Sequence, residues 1–233
     1  NTTEPGTPVP LLKSATPSNY SSISIKPSGG NWIINSATVP TASRGIIELS
    51  GADNVTIDGD DPSTSGTQNL TIQAATSTIT GIACVRFAST STTGTDGADN
   101  NILKNCILIG SRSSATSTVV NYGFVMSNSS SITTGAYSSL NTLIENNVIY
   151  KCYHGINLSG SSSTYPNTGT QVLNNTIGNS TDANSVGFRG ILITNSAVSS
   201  GGAILSGNNI RVGVSSTGYT ATVAGIEVGT SNY

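Results

Sequence analysis

Charge is what this sequence has least of. Of 233 residues only 9 are Lys or Arg and 11 are Asp or Glu, 9% of the chain, against about a quarter in ordinary soluble domains. The net charge is −2 and no basic patch occurs, which argues against a protein that neutralises nucleic-acid phosphates. No run of about 18 apolar residues exists, so no membrane-spanning helix is encoded. Strong helix formers are not abundant, which argues against a helical bundle. The three cysteines, Cys84, Cys106 and Cys152, are odd in number and show no metal-ligand spacing, so no disulfide framework is implied. Disorder driven by charge is also excluded, because 35% of the residues are apolar and they come in short ordered groups.

In place of charge the chain has 37 Ser, 32 Thr, 24 Asn and 26 Gly, 119 residues in all. Low charge with this polar excess suits a bacterial extracellular surface. Residues 1–22 carry Pro5, Pro8, Pro10 and Pro17 and read as an extended segment or a cap on the first coil. The chain begins at Asn1 without a basic or long apolar leader, so it reads as processed, excised or a fragment.

Two interleaved motifs repeat. The first is Gly-Φ-x-Φ, with Φ apolar, beginning at Gly81, Gly123, Gly155, Gly190 and Gly225, with a looser copy at Gly45; the glycines step by 36, 42, 32, 35 and 35 residues. The second places Asn or Cys between apolar positions, centred on Cys106, Asn147, Asn175 and Asn208, with steps of 41, 28 and 33. Each apolar group is short and has period two, so each is a strand of about three to five residues. Such strands bury a face only by stacking on their copies, which makes each repeat one coil of a parallel solenoid. The spacing predicts one interior column of Ile82, Phe124, Ile156, Ile191 and Ile226, and another of Leu108, Ile149, Ile177 and Ile210. Asn147, Asn175 and Asn208 share one position and are expected to form a side-chain amide ladder, which Cys106 breaks. Long polar loops are expected over 88–100, 111–121, 127–140 and 159–170.

On these motifs and on Asn54-Val55-Thr56-Ile57-Asp58-Gly59, the chain resembles a right-handed parallel β-helix of the pectate-lyase-like superfamily from about Ile23 to Val228. Ile23-Ser24-Ile25-Lys26-Pro27 followed by Ile46 to Gly59 is similar to the start of such helices in very large secreted bacterial surface proteins, which often carry a type IX secretion signal. The expected fold is all-β, a right-handed parallel β-helix of about six to seven coils over residues 23–233. Because Tyr233 follows directly on a Gly-Φ-x-Φ strand, the helix is expected to continue past it.

Candidate chemistry is sparse. Asp58, Asp60 and Asp61 form the densest acidic cluster and are the candidates for a Ca²⁺ site or paired catalytic carboxylates. The simpler reading is a solvated turn, since Pro62 follows in a segment rich in turn formers. Gly59-Asp60-Asp61 matches the Gly-Asp-Asp of the polygalacturonases, but their other three motifs are missing and Tyr153-His154-Gly155 only partly echoes one of them. His154, the only histidine, could act as an acid or base, or pair with Cys152 two residues away; the simpler reading is a corner residue. Arg189 resembles the proton-abstracting arginine of pectate lyases, yet between Gly110 and Tyr233 the only acidic residues are Glu145, Asp182 and Glu227. Cys84 and Cys106 are read as buried apolar fillers. Tyr150, Tyr153 and Tyr165 are the candidate sugar-binding platform. No cofactor is called for except an optional Ca²⁺. The expected function is a non-catalytic structural and binding module, adhesin-like, of a secreted or cell-surface bacterial protein, with glycans or other surface proteins as partners. The alternatives are a polysaccharide lyase or glycoside hydrolase, and a cargo or subunit of a larger assembly.

Overall fold

The structure, a computed structural model, describes residues 2–4, 11–12, 20–36, 42–74, 78–90, 96–112, 119–162, 164–179, 181, 185–195, 202–213 and 223–229. Two short strands, β1 (Thr2–Glu4) and β2 (Leu11–Leu12), precede six three-strand coils. The coils are β3 (Ile23–Ile25), β4 (Trp32–Ser36) and β5 (Arg44–Ser50); β6 (Val55–Asp58), β7 (Leu70–Gln73) and β8 (Ile82–Ser89); β9 (Ile102–Lys104), β10 (Cys106–Ile109) and β11 (Asn121–Asn128); β12 (Leu143–Glu145), β13 (Val148–Tyr150) and β14 (His154–Ser159); β15 (Gln171–Leu173), β16 (Thr176–Ile177) and β17 (Arg189–Thr194); and β18 (Ile204–Ser206), β19 (Asn209–Ile210) and β20 (Ala224–Val228). Five full turns thus separate β3 from β18.

Equivalent strands stack into three wholly parallel sheets. Sheet A runs β1-β4-β7-β10-β13-β16-β19, sheet B runs β2-β5-β8-β11-β14-β17-β20, and sheet C runs β3-β6-β9-β12-β15-β18. The fold is therefore an all-β parallel solenoid, with no helix among the described residues. β1 and β2, inside the Pro-rich segment, add to β4 and β5. Three of the expected long loops fall partly outside the described residues, at 91–95, 113–118 and 163.

Period-two alternation sends one residue in two into the bore. Sheet A contributes Ile34, Ile72, Leu108, Ile149, Ile177 and Ile210, the predicted column extended by two coils. Sheet C contributes Ile25, Ile57, Leu103, Ile144, Val172 and Leu205. All of these residues belong to or pack against one core. Phe87 and Phe124 meet edge to face there, with ring centres 4.9 Å apart.

Sheet B corrects one expectation. Ile82 is not in the Phe124 column: Phe124 pairs with Val85, which pairs with Ile47, whereas Ile82 pairs with Asn121 and Arg44. The column is Ile47, Val85, Phe124, Ile156, Ile191 and Ile226. Glycine recurs here for two different reasons. Gly81 sits at φ +77°, a left-handed corner before the strand. Gly123, Gly155 and Gly190 instead lie under the following coil, where a Cβ would clash with the Cγ2 of Ile149, Ile177 and Ile210 respectively. Cys84 takes this second position one coil earlier, beside Leu108 rather than an isoleucine.

Candidate functional site

The corner between sheets C and A is the most repetitive part of the molecule. The last four of these corners each turn through one left-handed residue, Asn105, Asn146, Asn174 and Gly207, at φ of 57, 52, 56 and 67°. The next residue is the ladder position. Asn147 Nδ2 donates to Asn175 Oδ1 and Asn175 Nδ2 to Asn208 Oδ1, each at 3.0 Å. The backbone N–H groups of Asn147 and Asn175 donate to the same acceptors, also at 3.0 Å. The predicted ladder is in place. Cys106 ends it without leaving a gap, since its own N–H donates to Asn147 Oδ1 at 2.9 Å.

A second ladder runs beside the first, on the left-handed residues themselves. Asn146 Nδ2 donates to Asn105 Oδ1 at 2.7 Å, and Asn105 Nδ2 to Asp58 Oδ1 at 2.8 Å. It ends on a carboxylate that also faces Lys26 Nζ at 3.0 Å and Lys104 Nζ at 3.5 Å. Burial alone pushes the Asp58 carboxyl up, but the Asn105 amide, the Asp60 N–H and the two lysines outweigh it, so it titrates below its ordinary 3.8. The Asn-Asn and Asn-Cys dipeptides were the available signal for this ladder.

Asp61 serves the loop between β6 and β7. Its Oδ1 accepts from the Ser63 hydroxyl and N–H at 2.6 and 3.0 Å, and its Oδ2 from the Gly30 N–H at 2.9 Å. The Ser63 contacts, with Gly30, hold its carboxyl below the usual range. Asp60 contributes its N–H to Asp58 Oδ1 at 3.1 Å. The three candidate metal ligands are thus close in sequence, but Asp58 and Asp61 direct their oxygens to separate partners. Among the described residues no group of three or more His, Cys, Asp or Glu side chains is arranged to hold a metal ion.

The outer face of sheet B gathers the other singled-out residues. His154 stacks on Tyr122 with ring centres 5.2 Å apart, and meets Tyr153 and Phe188 edge-on at 4.9 and 5.6 Å. Tyr153 stacks on Phe188 at 5.1 Å, and the Arg189 guanidinium lies 3.9 Å over the same ring. Arg189 pairs with Glu227 through two hydrogen bonds of 2.5 and 2.9 Å, which holds the Glu227 carboxyl below its usual range. His154 Nδ1 makes no hydrogen bond among the described residues. Burial, reinforced by Arg189, drives the His154 pKa down to about 3. The buried imidazole and the ion-paired guanidinium thus share one stacked aromatic surface.

Cys152 does not join His154. It lies in the core, its Sγ 3.2 Å from Tyr150 O, and burial pushes its thiol up to about 12. Cys106 is raised to about 12 and Cys84 well above the ordinary value by the same cause. All three are buried and free, as fillers are expected to be. Among the described residues the candidate tyrosines have different ring partners. Tyr150 is on β13 of sheet A, Tyr153 is in the sheet B cluster, and Tyr165 pairs with Tyr137 at 5.6 Å.

Tyr137 and Tyr165 belong to the flank between sheets B and C, where loops of successive coils bond to one another. Ala136 bridges Gly160, Leu140 bridges Thr168, and the Ser138 N–H donates to Tyr165 O at 3.2 Å. The 129–135 loop folds over sheet B and packs Ile132 on Ala83, Tyr122 and Val125 in a second apolar cluster. Fully buried Arg86 fastens it, donating to Asn128 O, to Ser127 Oγ at 2.8 Å and to Ser43 O at 2.5 Å, with Glu48 at 3.3 Å. Sequence reasoning missed this pin because charge in a solenoid strand reads as solvated. Among the described residues no helix is long and apolar enough to cross a membrane. Comparison with family models, with curated proteins and with solved structures finds no match.

Proposed function

We propose that this chain is a non-catalytic structural and binding module, adhesin-like, of a secreted or cell-surface bacterial protein of the pectate-lyase-like type, similar to those exported by type IX secretion. The observation that carries this reading is the flank between sheets B and C. Its Ser-, Thr- and Asn-rich loops are hydrogen-bonded from coil to coil instead of hanging free. A polar surface held rigid in this way loses little entropy when it binds. The Tyr137–Tyr165 pair gives it an aromatic patch of the kind on which sugar rings stack. Glycans are the ligand class this surface suits best.

The test is a panel of polysaccharides and arrayed glycans offered to the purified protein with and without Ca²⁺. Retention on some glycans, weakened about three- to tenfold by Tyr165→Ala, and no depolymerisation is the expected outcome. Release of unsaturated sugars dependent on Ca²⁺ would replace this reading by the polysaccharide lyase, and direct attention to Asp58, Asp60, Asp61 and Arg189. Recovery only in a stoichiometric complex, without glycan retention, would favour the assembly subunit.

A further inference from the structure

The loop between β6 and β7 is longer than its corner needs. The four later corners between sheets C and A turn in one or two residues, at 105, 146–147, 174–175 and 207–208, whereas this one takes residues 59–69. Insertions in a solenoid leave the coil intact and collect on its outside, where binding surfaces form. The added chain is firmly held. The Thr64 N–H and Oγ1 both donate to Asp61 O at 3.0 Å, and the Asp61 carboxylate ties the loop to Ser63 and to Gly30 of the first coil. Gln68 Nε2 donates to Asn146 O at 2.9 Å, two coils further on.

Between this loop and the outer face of sheet A lies a cleft of about 420 Å³, within the roughly 300–1,000 Å³ usual for ligand sites. Its floor is Ile107, which faces outward between the buried Cys106 and Leu108. Asn31, Ser65, Thr67, Gln68 and Asn69 line it, and no charged side chain does so among the described residues. Two amides are oriented in advance. Buried Asn69 accepts from the Asp61 N–H at 3.1 Å and donates to Asn31 Oδ1 at 2.8 Å, which leaves Asn31 Nδ2 as a donor. Gln68 is fixed through its Nε2, which leaves its Oε1 as an acceptor. Ser65 and Thr67 are exposed and add two hydroxyls.

We propose that this cleft binds one neutral sugar unit of a glycan chain. The aliphatic Ile107 side chain lies against the C–H face of the ring. The ring hydroxyls accept from Asn31 Nδ2, donate to Gln68 Oε1 and exchange hydrogen bonds with Ser65 and Thr67. A lining without a cation or a carboxylate has nothing to offset the desolvation of a charged sugar. A peptide strand is a poor occupant, because β4, β7 and β10 each pair on both sides and offer no open edge for main-chain pairing. The cleft lies at a different corner from the Tyr137–Tyr165 flank, so either site stands without the other.

The test follows the side-chain amide signals of Asn31 and Gln68 by NMR in the full chain. Neutral gluco-, manno- and galacto-oligosaccharides are titrated in, with oligogalacturonate as the charged counterpart. At least one neutral sugar should shift both signals saturably, and oligogalacturonate should shift neither. Asn31→Ala, read at Gln68, should weaken the binding about tenfold. Ser65→Trp, at an exposed loop position, should abolish it by filling the cleft while moving the thermal midpoint by less than about 2 °C. Tyr165→Ala should leave it unchanged, which separates this site from the flank between sheets B and C. The proposal fails if no neutral sugar of the panel moves either signal, or if oligogalacturonate binds as tightly. It also fails if both cleft variants bind as the original chain does. Loss of the shifts in Tyr165→Ala would assign them to the other flank and overturn the proposal as well.

Discussion

Single polar side chains hold the corners of this molecule, and their removal should be felt in proportion to how many groups each satisfies. Asn175 donates to Ile144 O, Leu173 O and Asn208 Oδ1, and accepts twice from Asn147. Asn175→Ala strands buried groups on both neighbouring coils, at about 1–3 kcal/mol for each one left unpaired. Asn208→Ala, at the more exposed end, should cost less; urea midpoints of the two variants check the order. His154 and Asp58 give separable pH effects. The folded His154 pKa, about 3, lies below its ordinary 6.5, so between these values the unfolded chain binds the proton and the folded chain does not. His154 therefore adds stability above pH 6.5 that is lost as pH falls towards 3, at up to about 1.4 kcal/mol per pH unit. His154→Phe should flatten that slope. The Asp58 carboxyl is lowered from 3.8, so its contribution is present above 3.8 and lost below it, and Asp58→Asn should flatten only this acid end. Denaturation midpoints followed from neutral pH down into the acid range separate the two.

At the scale of the element, β8 and β11 are buried on both faces, because sheet B is covered outside by the 129–135 loop as well as inside by the core. That cover encloses Arg86, a guanidinium with no exposed surface, matched to Glu48. Arg86→Met should destabilise by about 3–5 kcal/mol, since it leaves Glu48 buried with one partner fewer. Adding Glu48→Leu should recover part of the loss, because Arg44, partly exposed, can turn to water. A double-mutant cycle measures the coupling. Element existence was legible in the sequence wherever an apolar pair recurred at the coil spacing, and the sheet A column appears as predicted. The register of β8 was not. Gly81 looks like Gly123 in a string of letters, but one glycine answers a φ angle and the other a neighbouring coil, and only stacked strands tell these apart.

For the whole molecule, a solenoid gains stability from nearest-neighbour coils, so it should not melt uniformly. Amide exchange should be slowest in β8 and β11, with covered coils on either side, and fastest in β20, which ends sheet B among the described residues. Ile226→Asp should speed exchange in β17 and β20 alone, whereas Phe124→Asp, at the centre of the core, should prevent folding. Uniform exchange across all three sheets would show that the coils fold as one unit instead.

The repeat, the parallel stacking, the sheet A column and the Asn147–Asn175–Asn208 ladder were determined by the sequence alone. Each is a local pattern copied at a recurring spacing, and such copies can bury their faces only by lying on one another. The site was far less legible. Asp58, Asp60 and Asp61 form a cluster in the letters, yet Asp58 ends an amide ladder and Asp61 closes a loop. Tyr150, Tyr153 and Tyr165 are close along the chain, yet Tyr153 stacks on Phe188 and Tyr165 pairs with Tyr137. The Tyr122–His154–Phe188–Arg189 cluster, by contrast, joins three coils that no short window contains. Strand pairing decides which distant residues become neighbours across coils, and loop length decides what covers them. Both are settled only when the chain has wound up.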